Sequence, residues 1–158
     1  MQSDAIIEPC DPTHGIAVQN PSEDVIYLIP SASGRDGRPA YMGTDALLVK
    51  RAVAEGVPVR YSLPEQEREF VEHFSAGIEI IELAVAIIAL VPSTIQGIQA
   101  LIELAAMRKG FKGDAVKRAK VHLKIDYLKT PTTEARGVRI KGDADKVVEA
   151  LKELGAGS

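Results

Sequence analysis

The stretch Leu63 to Arg108, LPEQEREFVEHFSAGIEIIELAVAIIALVPSTIQGIQALIELAAMR, decides the fold because its C-terminal two-thirds is the most apolar part of the chain. We interpret it as two helices, 65–91 and 94–108, separated at residues 91–94 (VPST). Residues 64–67 (PEQE) suit a helix start, since proline loses no hydrogen bond in the first turn and carboxylates favour the positive end of the helix dipole. The stretch therefore predicts a central apolar helix pair.

The first of these helices carries two apolar seams. Apolar residues recur along one seam at alternating spacings of three and four, from Val71 through Phe74, Ile78, Ile81 and Val85 to Ile88. Because a helix that is apolar on two faces is buried on two faces, we expect one seam to pack on the protein's own sheet. The other seam is predicted to bind a second copy of the chain or another protein partner, through Ile80, Leu83, Ile87 and Leu90.

A membrane span is the less favoured interpretation of the same stretch. A spanning helix needs ~20 apolar residues, whereas the longest uninterrupted run extends only from Leu83 to Val91. Basic residues follow the pair, as they do at the cytoplasmic flanks of inserted segments. We therefore favour a buried or partner-binding helix over integral insertion and keep peripheral membrane contact as an alternative.

Length and composition are those of one globular domain. The chain has 158 residues, of which 46% are hydrophobic and 26% charged, as in ordinary folded domains. We interpret residues 1–23 as an irregular lead-in, because prolines are scattered through it, and residues 24–158 as one α/β or α+β domain with a small mixed sheet. One cysteine, Cys10, and an opening without a secretory signal predict a cytoplasmic protein.

A strand, a helix and a second strand are predicted early in this domain. Val25 to Ile29 is a continuous apolar run of the kind that forms a buried strand, and Val57 to Tyr61 is the second strand. Between them, Thr44 is the expected N-cap of a helix from Asp45 to about Glu55. Such an order implies a right-handed crossover and two parallel strands. The expected buried side of the helix is Leu47, Leu48, Val49, Ala52 and Val53.

The loop after the first strand is the weakest functional candidate. It leads from the carboxyl end of a strand toward a helix, the usual ligand position in α/β folds, and Ser31, Ser33, Arg35 and Arg38 could hold a phosphate. Neither phosphate-loop fingerprint occurs, however, so a solvated turn is the alternative. No acid/base pair or metal-ligand set can be assembled from spacing, and Cys10 with His14 lacks further ligands. A small phosphate- or nucleotide-dependent enzyme is therefore less favoured than a protein without catalysis or cofactor.

A basic island lies in the C-terminal third of an otherwise acidic chain. Residues 108–141 hold 11 basic and 3 acidic side chains, although the net charge is -3. Apolar and mostly basic residues alternate over 120–127 and 138–141, which predicts a hairpin with one core face and one positive face, followed by a final helix. The island predicts binding of nucleic acid or anionic lipid, or neutralisation of the protein's own acids. The candidate anion-binding residues are Lys112, Lys120, Lys124, Arg139 and Lys141.

The same region resembles the second half of a KH nucleic-acid-binding domain. The resemblance is carried by residues 110–113 (GFKG), Val116, a strand, residues 138–142 (VRIKG) and a closing helix. In that family a G-x-x-G loop clamps the backbone of about four nucleotides, which implies single-stranded nucleic-acid binding at 110–113. The layout also resembles small effector-associated modules of bacterial conflict systems, which implies an adaptor. Our first hypothesis is a non-catalytic interaction or assembly module acting through residues 65–108.

Overall fold

The computed structural model describes residues 5–10, 22–71, 80–129 and 134–155. Three short 3-10 helices lie at 35–37, 65–67 and 113–118. The predicted mixed α/β fold with a C-terminal hairpin and helix is confirmed. The strands are β1 (Ile6–Pro9), β2 (Ile26–Leu28), β3 (Ala32–Ser33), β4 (Pro39–Met42), β5 (Val59–Tyr61), β6 (Phe70–Val71), β7 (Ile80–Ile87), β8 (Lys120–Lys129) and β9 (Glu134–Asp143), and the helices are α1 (Gly43–Ala54), α2 (Pro92–Arg108) and α3 (Ala144–Gly155).

Six strands form one mixed sheet in the order β1-β9-β8-β7-β2-β5. The pair β2 and β5 is parallel, as the strand, helix and strand order predicted, and so is the pair β7 and β8. The other neighbours are antiparallel. Strands β3, β4 and β6 form a separate small sheet.

All three helices pack on one face of the large sheet, with α2 in contact with both α1 and α3. The main core lies between these layers and joins Leu48 of α1, Leu101 of α2 and Val147 of α3 to the strands. We call the opposite face of the sheet the outer face. Over β2 and β7 the outer face carries a second buried apolar cluster, formed by Val25, Tyr27, Ile29, Ala84 and Ala86.

The predicted helix over 65–91 is wrong. Only a 3-10 turn forms at 65–67, and Ile80–Ile87 is the strand β7 in the middle of the sheet. A strand that is apolar on both faces produces the same spacings of three and four as a helix, so periodicity did not separate the two. Residues 72–79 of the predicted helix lie outside the described residues. The second predicted helix is confirmed as α2, which begins at Pro92.

The predicted irregular lead-in is wrong over β1, which pairs antiparallel with β9. The N–H of Cys10 donates a hydrogen bond to the carbonyl of Gly137, with 2.9 Å between N and O. Since backbone donors alternate along a strand, the nitrogen of Pro9 points away from β9, toward the edge of the sheet as the described strands form it. No N–H is needed there, so the edge tolerates proline.

The predicted helix over 45–55 is confirmed as α1, but its expected N-cap is wrong. The helix begins at Gly43, and the cap is Met42 instead of Thr44. Its backbone N–H donates to the Asp45 carboxylate over 3.1 Å. The carboxylate thus binds a donor that would otherwise lack an intrahelical partner.

The expected buried side of α1 is only partly correct. Leu48, Val49 and Ala52 pack into the core, but Leu47 and Val53 are 54% and 55% exposed. A helix on a sheet buries one apolar stripe, and these two residues lie outside that stripe on different sides. Two large apolar side chains therefore remain at the surface of the helix layer.

Candidate functional site

An apolar groove runs between α1 and α2 on the surface of the helix layer. Its volume is about 560 Å³, which falls in the range of ligand-binding clefts. Sequence reasoning missed this groove, because it assigned Leu47 to the core. We define the α1–α2 groove by its lining residues Leu47, Leu48, Lys50, Arg51, Ala54, Leu104, Met107 and Arg108.

The groove combines buried leucines with exposed apolar side chains. Leu48 and Leu104 are 4% and 8% exposed, whereas Leu47 and Met107 are 54% and 56% exposed. Residues 47, 50, 51 and 54 share one side of α1, because residues three and four apart are neighbours on a helix. Fully burying a side chain such as leucine or methionine is worth about 1.5–3 kcal/mol, and this free energy is still available to a partner.

The rim of the groove is basic on both walls. Lys50 and Arg51 extend from α1 and Arg108 from α2, and the lining includes no acidic residue. Arg51 Nε lies 3.4 Å from Glu55 Oε1, with both side chains exposed. Within the described residues, no carboxylate lies within ion-pair distance of Lys50 or Arg108. The groove therefore offers an apolar floor with three cations at its rim.

The interface predicted from the second seam is wrong for three of its four residues. Leu83, Ile87 and Leu90 are 4%, 0% and 2% exposed and belong to the main core, while Ile80 is half-buried. Leu83 and Ile87 lie on a central strand and pack, with Leu90, into the core shared with the helices. Leu83, Ile87 and Leu90 therefore stabilise the fold and are not available for docking.

The outer face of β8 and β9 brings together four of the five predicted anion-binding residues. Lys124 lies directly opposite Arg139 in the ladder, His122 opposite Lys141, and Lys120 opposite Asp143. The predicted basic face of the hairpin is thus present. Lys112 lies apart from it, since its neighbour Phe111 packs on the helix side against the main core.

Acidic residues of the chain itself neutralise part of this face. Lys120 Nζ lies 2.5 Å from Asp143 Oδ1. Glu8 Oε1 of β1 lies 3.0 Å from Lys141 Nζ and 3.9 Å from Arg139 Nη1. The second interpretation of the basic island, pairing with the protein's own acids, therefore describes these three cations.

A carboxylate of the protein itself, that of Glu69, lies beside the loop predicted to hold a phosphate. The backbone N–H of Arg35 donates to Glu69 Oε1 over 3.0 Å. Ser33, Arg35 and Arg38 line an open depression together with Glu69 and Phe70, and Ser31 is exposed outside it. A donor that would serve a phosphate is thus already bound to an acid of the protein.

An aromatic cluster at the carboxyl ends of β2 and β5 was not predicted. Tyr41 is fully buried, and its ring centroid lies 4.9 Å from that of Tyr61 and 5.6 Å from that of Phe70. The Tyr41 hydroxyl donates to the Leu28 carbonyl over 3.0 Å and accepts from the Leu63 N–H over 3.2 Å. These bonds tie β4 to the ends of β2 and β5, which is a structural role.

Two ionisable groups beside this cluster have shifted pKa values. Burial raises the pKa of Asp45 to about 6, although the hydrogen bond from Met42 opposes the shift. Burial also raises the pKa of Tyr61, against the lowering effect of Arg68. The Arg68 guanidinium lies 4.4 Å from the centroid of the Tyr61 ring, a cation–π distance. Asp45 supports the N-terminus of α1, and Tyr61 supports β5.

No family model, curated protein or solved structure matches the chain. Among the residues that the structure describes, no helix is both long and apolar enough to cross a membrane. Within the same ranges, no group of three or more His, Cys, Asp or Glu side chains could hold a metal ion. The separation of Cys10 and His14, which form an incomplete site in the sequence, is not described, because His14 lies outside the described residues.

Proposed function

We propose that this protein is a non-catalytic docking module that binds a helical segment of a partner protein in the α1–α2 groove. The observation that carries the proposal is the pair Leu47 and Met107. Each side chain is more than half exposed, and the two line the same groove from different helices over a floor of buried leucines. The sequence predicts docking through residues 65–108, and the proposal keeps α2 from that region. The α1–α2 groove, which a partner can reach, takes the place of the seam on β7.

A helix is the occupant that fits the shape of the groove. The wall formed by α1 extends from Leu47 to Ala54, about 11 Å at the helical rise per residue, or two helical turns. An amphipathic helix presents anchors at positions i, i+3 or i+4, and i+7 over that length. Methionine adapts to irregular apolar partners because its side chain is unbranched and flexible, which suits Met107 to this role.

A second copy of the chain is a poorer occupant. Two-fold pairing would place the same patch on both sides of the interface. Lys50, Arg51 and Arg108 of one copy would then approach those of the other, and such like-charge contacts oppose association. A different protein is the occupant that the charges favour.

Methionine methyl NMR tests the proposal directly. The chain contains three methionines, Met1, Met42 and Met107, so a ¹³C-methyl label gives few signals. The probe is a designed helical peptide with leucines at helical spacing and glutamines elsewhere. We expect the Met107 signal to shift and the Met42 signal to stay. Leu47→Glu should weaken binding at least roughly tenfold, the loss of one buried leucine.

Val53 supplies the matched control, because it is as exposed as Leu47 but does not line the groove. Val53→Glu should leave peptide binding unchanged. Equal loss in both variants, or a Met107 signal that never moves, would remove the proposal. Sedimentation of the protein alone provides the further check: a dimer that Leu47→Glu dissociates would make a second copy the occupant and overturn it.

A second candidate function is binding of a phosphate-bearing polyanion on the outer face of β8 and β9. It is supported by Lys124, which lies opposite Arg139 and has no carboxylate within ion-pair distance among the described residues. Binding of a labelled single-stranded oligonucleotide, falling steeply with salt and lost in Lys124→Glu, would support nucleic acid. Flotation with phosphatidylserine vesicles would support lipid. If the protein binds neither the oligonucleotide nor the vesicles at low salt, this candidate is wrong.

A further inference from the structure

We infer that the helix bound in the α1–α2 groove is acidic, with Asp or Glu on both flanks of its apolar stripe. The inference rests on the proposed docking function and adds the chemistry of the partner. Its basis is the distribution of charge around the groove. Cations stand on both walls, Lys50 and Arg51 on one and Arg108 on the other, and no acid lines the space between them.

The positive rim is a local property. The whole chain carries a net charge of -3, so a basic groove is not a consequence of a generally basic surface. A cleft lined by one sign of charge raises the local concentration of the opposite charge and speeds its association. The groove therefore selects an acidic partner even though the protein as a whole is acidic.

The rim cations are available to a partner. Lys50 and Arg108 have no ion-pair partner among the described residues. Arg51 contacts Glu55, but the two side chains are 65% and 46% exposed, and exposed pairs of this kind are weak. Arg51 can exchange Glu55 for a partner's carboxylate at little cost. Three ion pairs can thus form around one apolar contact.

The concave shape favours a helix over a flat membrane surface. A space of about 560 Å³ between two helices leaves Leu48 and Leu104 below the surface, where a lipid headgroup layer contacts them poorly. A helix inserts apolar side chains into such a groove while its polar flanks stay at the rim. Leucine anchors would meet Leu47 and Met107, and flanking carboxylates would meet the cations.

Three designed helical peptides with the same leucine stripe and with Glu, Gln or Lys at the flanks test the inference. We expect the Glu peptide to bind about tenfold tighter than the Gln peptide at low salt, the effect of two or three exposed ion pairs. The Lys peptide should bind more weakly than both. The differences should shrink as salt rises.

Charge reversal at the rim supplies the decisive variant. Lys50→Glu, Arg51→Glu and Arg108→Glu together should reverse the order, so that the Lys peptide binds best. The control carries the same change of charge at exposed sites outside the groove, Lys112→Glu, Lys117→Glu and Arg118→Glu, and should keep the original order. A control that loses the preference equally would show a long-range field and overturn the inference.

The two proposals fail in different ways. If all three peptides shift the Met107 signal with equal affinity, the docking groove stands and the acidic partner is wrong. If none shifts it, the docking function itself is wrong. If phosphatidylserine vesicles, but no peptide, perturb Met107 and this effect is lost in Leu47→Glu, the surface contacts lipid, and both proposals are overturned.

Discussion

Gly34 lies so close to Glu69 that a methyl group at Gly34 would overlap the Glu69 carboxylate. The same carboxylate holds the backbone N–H of Arg35. The loop between β3 and β4 therefore packs closely against Glu69, which lies just before β6. The absence of a side chain at position 34 is what permits this contact.

Gly34→Ala should consequently destabilise the protein by displacing Glu69. We expect a loss of up to ~1 kcal/mol in the free energy of unfolding, since an exposed hydrogen bond to a charged group is broken. Urea denaturation of Gly34→Ala, Glu69→Ala and the double variant measures the coupling. In the Glu69→Ala background the Gly34→Ala change should cost much less; fully additive losses would show that the two residues act independently.

Asp45 should make stability depend on pH. Its pKa is raised from 3.8 to about 6 in the folded state, so between these values the folded protein binds a proton that the unfolded chain does not. The free energy of unfolding therefore falls as pH rises through this window, and the full penalty is present above it.

Asp45→Asn should remove that dependence. We expect this variant to gain ~1–3 kcal/mol over the natural protein at pH 7.5 and to lose the advantage near pH 4, because one pKa unit corresponds to about 1.4 kcal/mol. Asparagine keeps an oxygen that can accept from Met42. Thermal unfolding between pH 4 and 8 measures the effect, and a constant difference across that range would refute a buried, destabilising carboxylate.

Leu83 and Ile87 should behave as core residues. Each replacement by alanine should cost ~2–5 kcal/mol, because a cavity forms between β7 and the helices, without any change in association. Val53→Ala, at an exposed site, should cost less than ~0.5 kcal/mol. Chemical denaturation together with sedimentation separates the effects. A change in mass at unchanged stability would restore the interface predicted from the sequence.

Glu8 should lower the positive charge of the outer face. Its contacts with Lys141 and Arg139 are partly exposed, so Glu8→Gln should change stability by less than ~1 kcal/mol. If the second candidate function is correct, the same variant should bind an oligonucleotide more tightly at low salt. Glu23 is an exposed acid that forms none of these ion pairs, so Glu23→Gln is the charge-matched control. Equal strengthening by both would mean that net charge alone is responsible.

The sequence predicts those elements that bury a single face, because their apolar residues then recur with the period of a helix or of a strand. The hairpin β8–β9 alternates apolar and basic residues, and α2 has an ordinary amphipathic pattern, so both were predicted from the residues alone. Pro92, which the prediction placed in the break before α2, is the first residue of that helix. Strand β7 was not, because apolar residues stand on both of its faces and the choice between helix and strand depends on pairing with β2 and β8. Distant pairing of this kind overrides local pattern.

The candidate groove was beyond prediction for a related reason. Leu47 is one of several apolar residues on α1, and nothing in the chain distinguishes it from Leu48. Consecutive residues of a helix point about 100° apart, so only the packing of α1 in the fold decides which of the two is buried. The basic residues of the rim are visible in the sequence, but their convergence on one groove is a tertiary property.

Pro9 has a consequence for how molecules of this protein meet one another at high concentration. Along β1, the last strand on one side of the described sheet, the backbone offers one N–H fewer than an ordinary strand, and Glu8 brings a charge beside it. A neighbouring molecule that tried to extend the ladder would find the register interrupted at that point. Proline at this position therefore opposes the addition of a further strand beside β1.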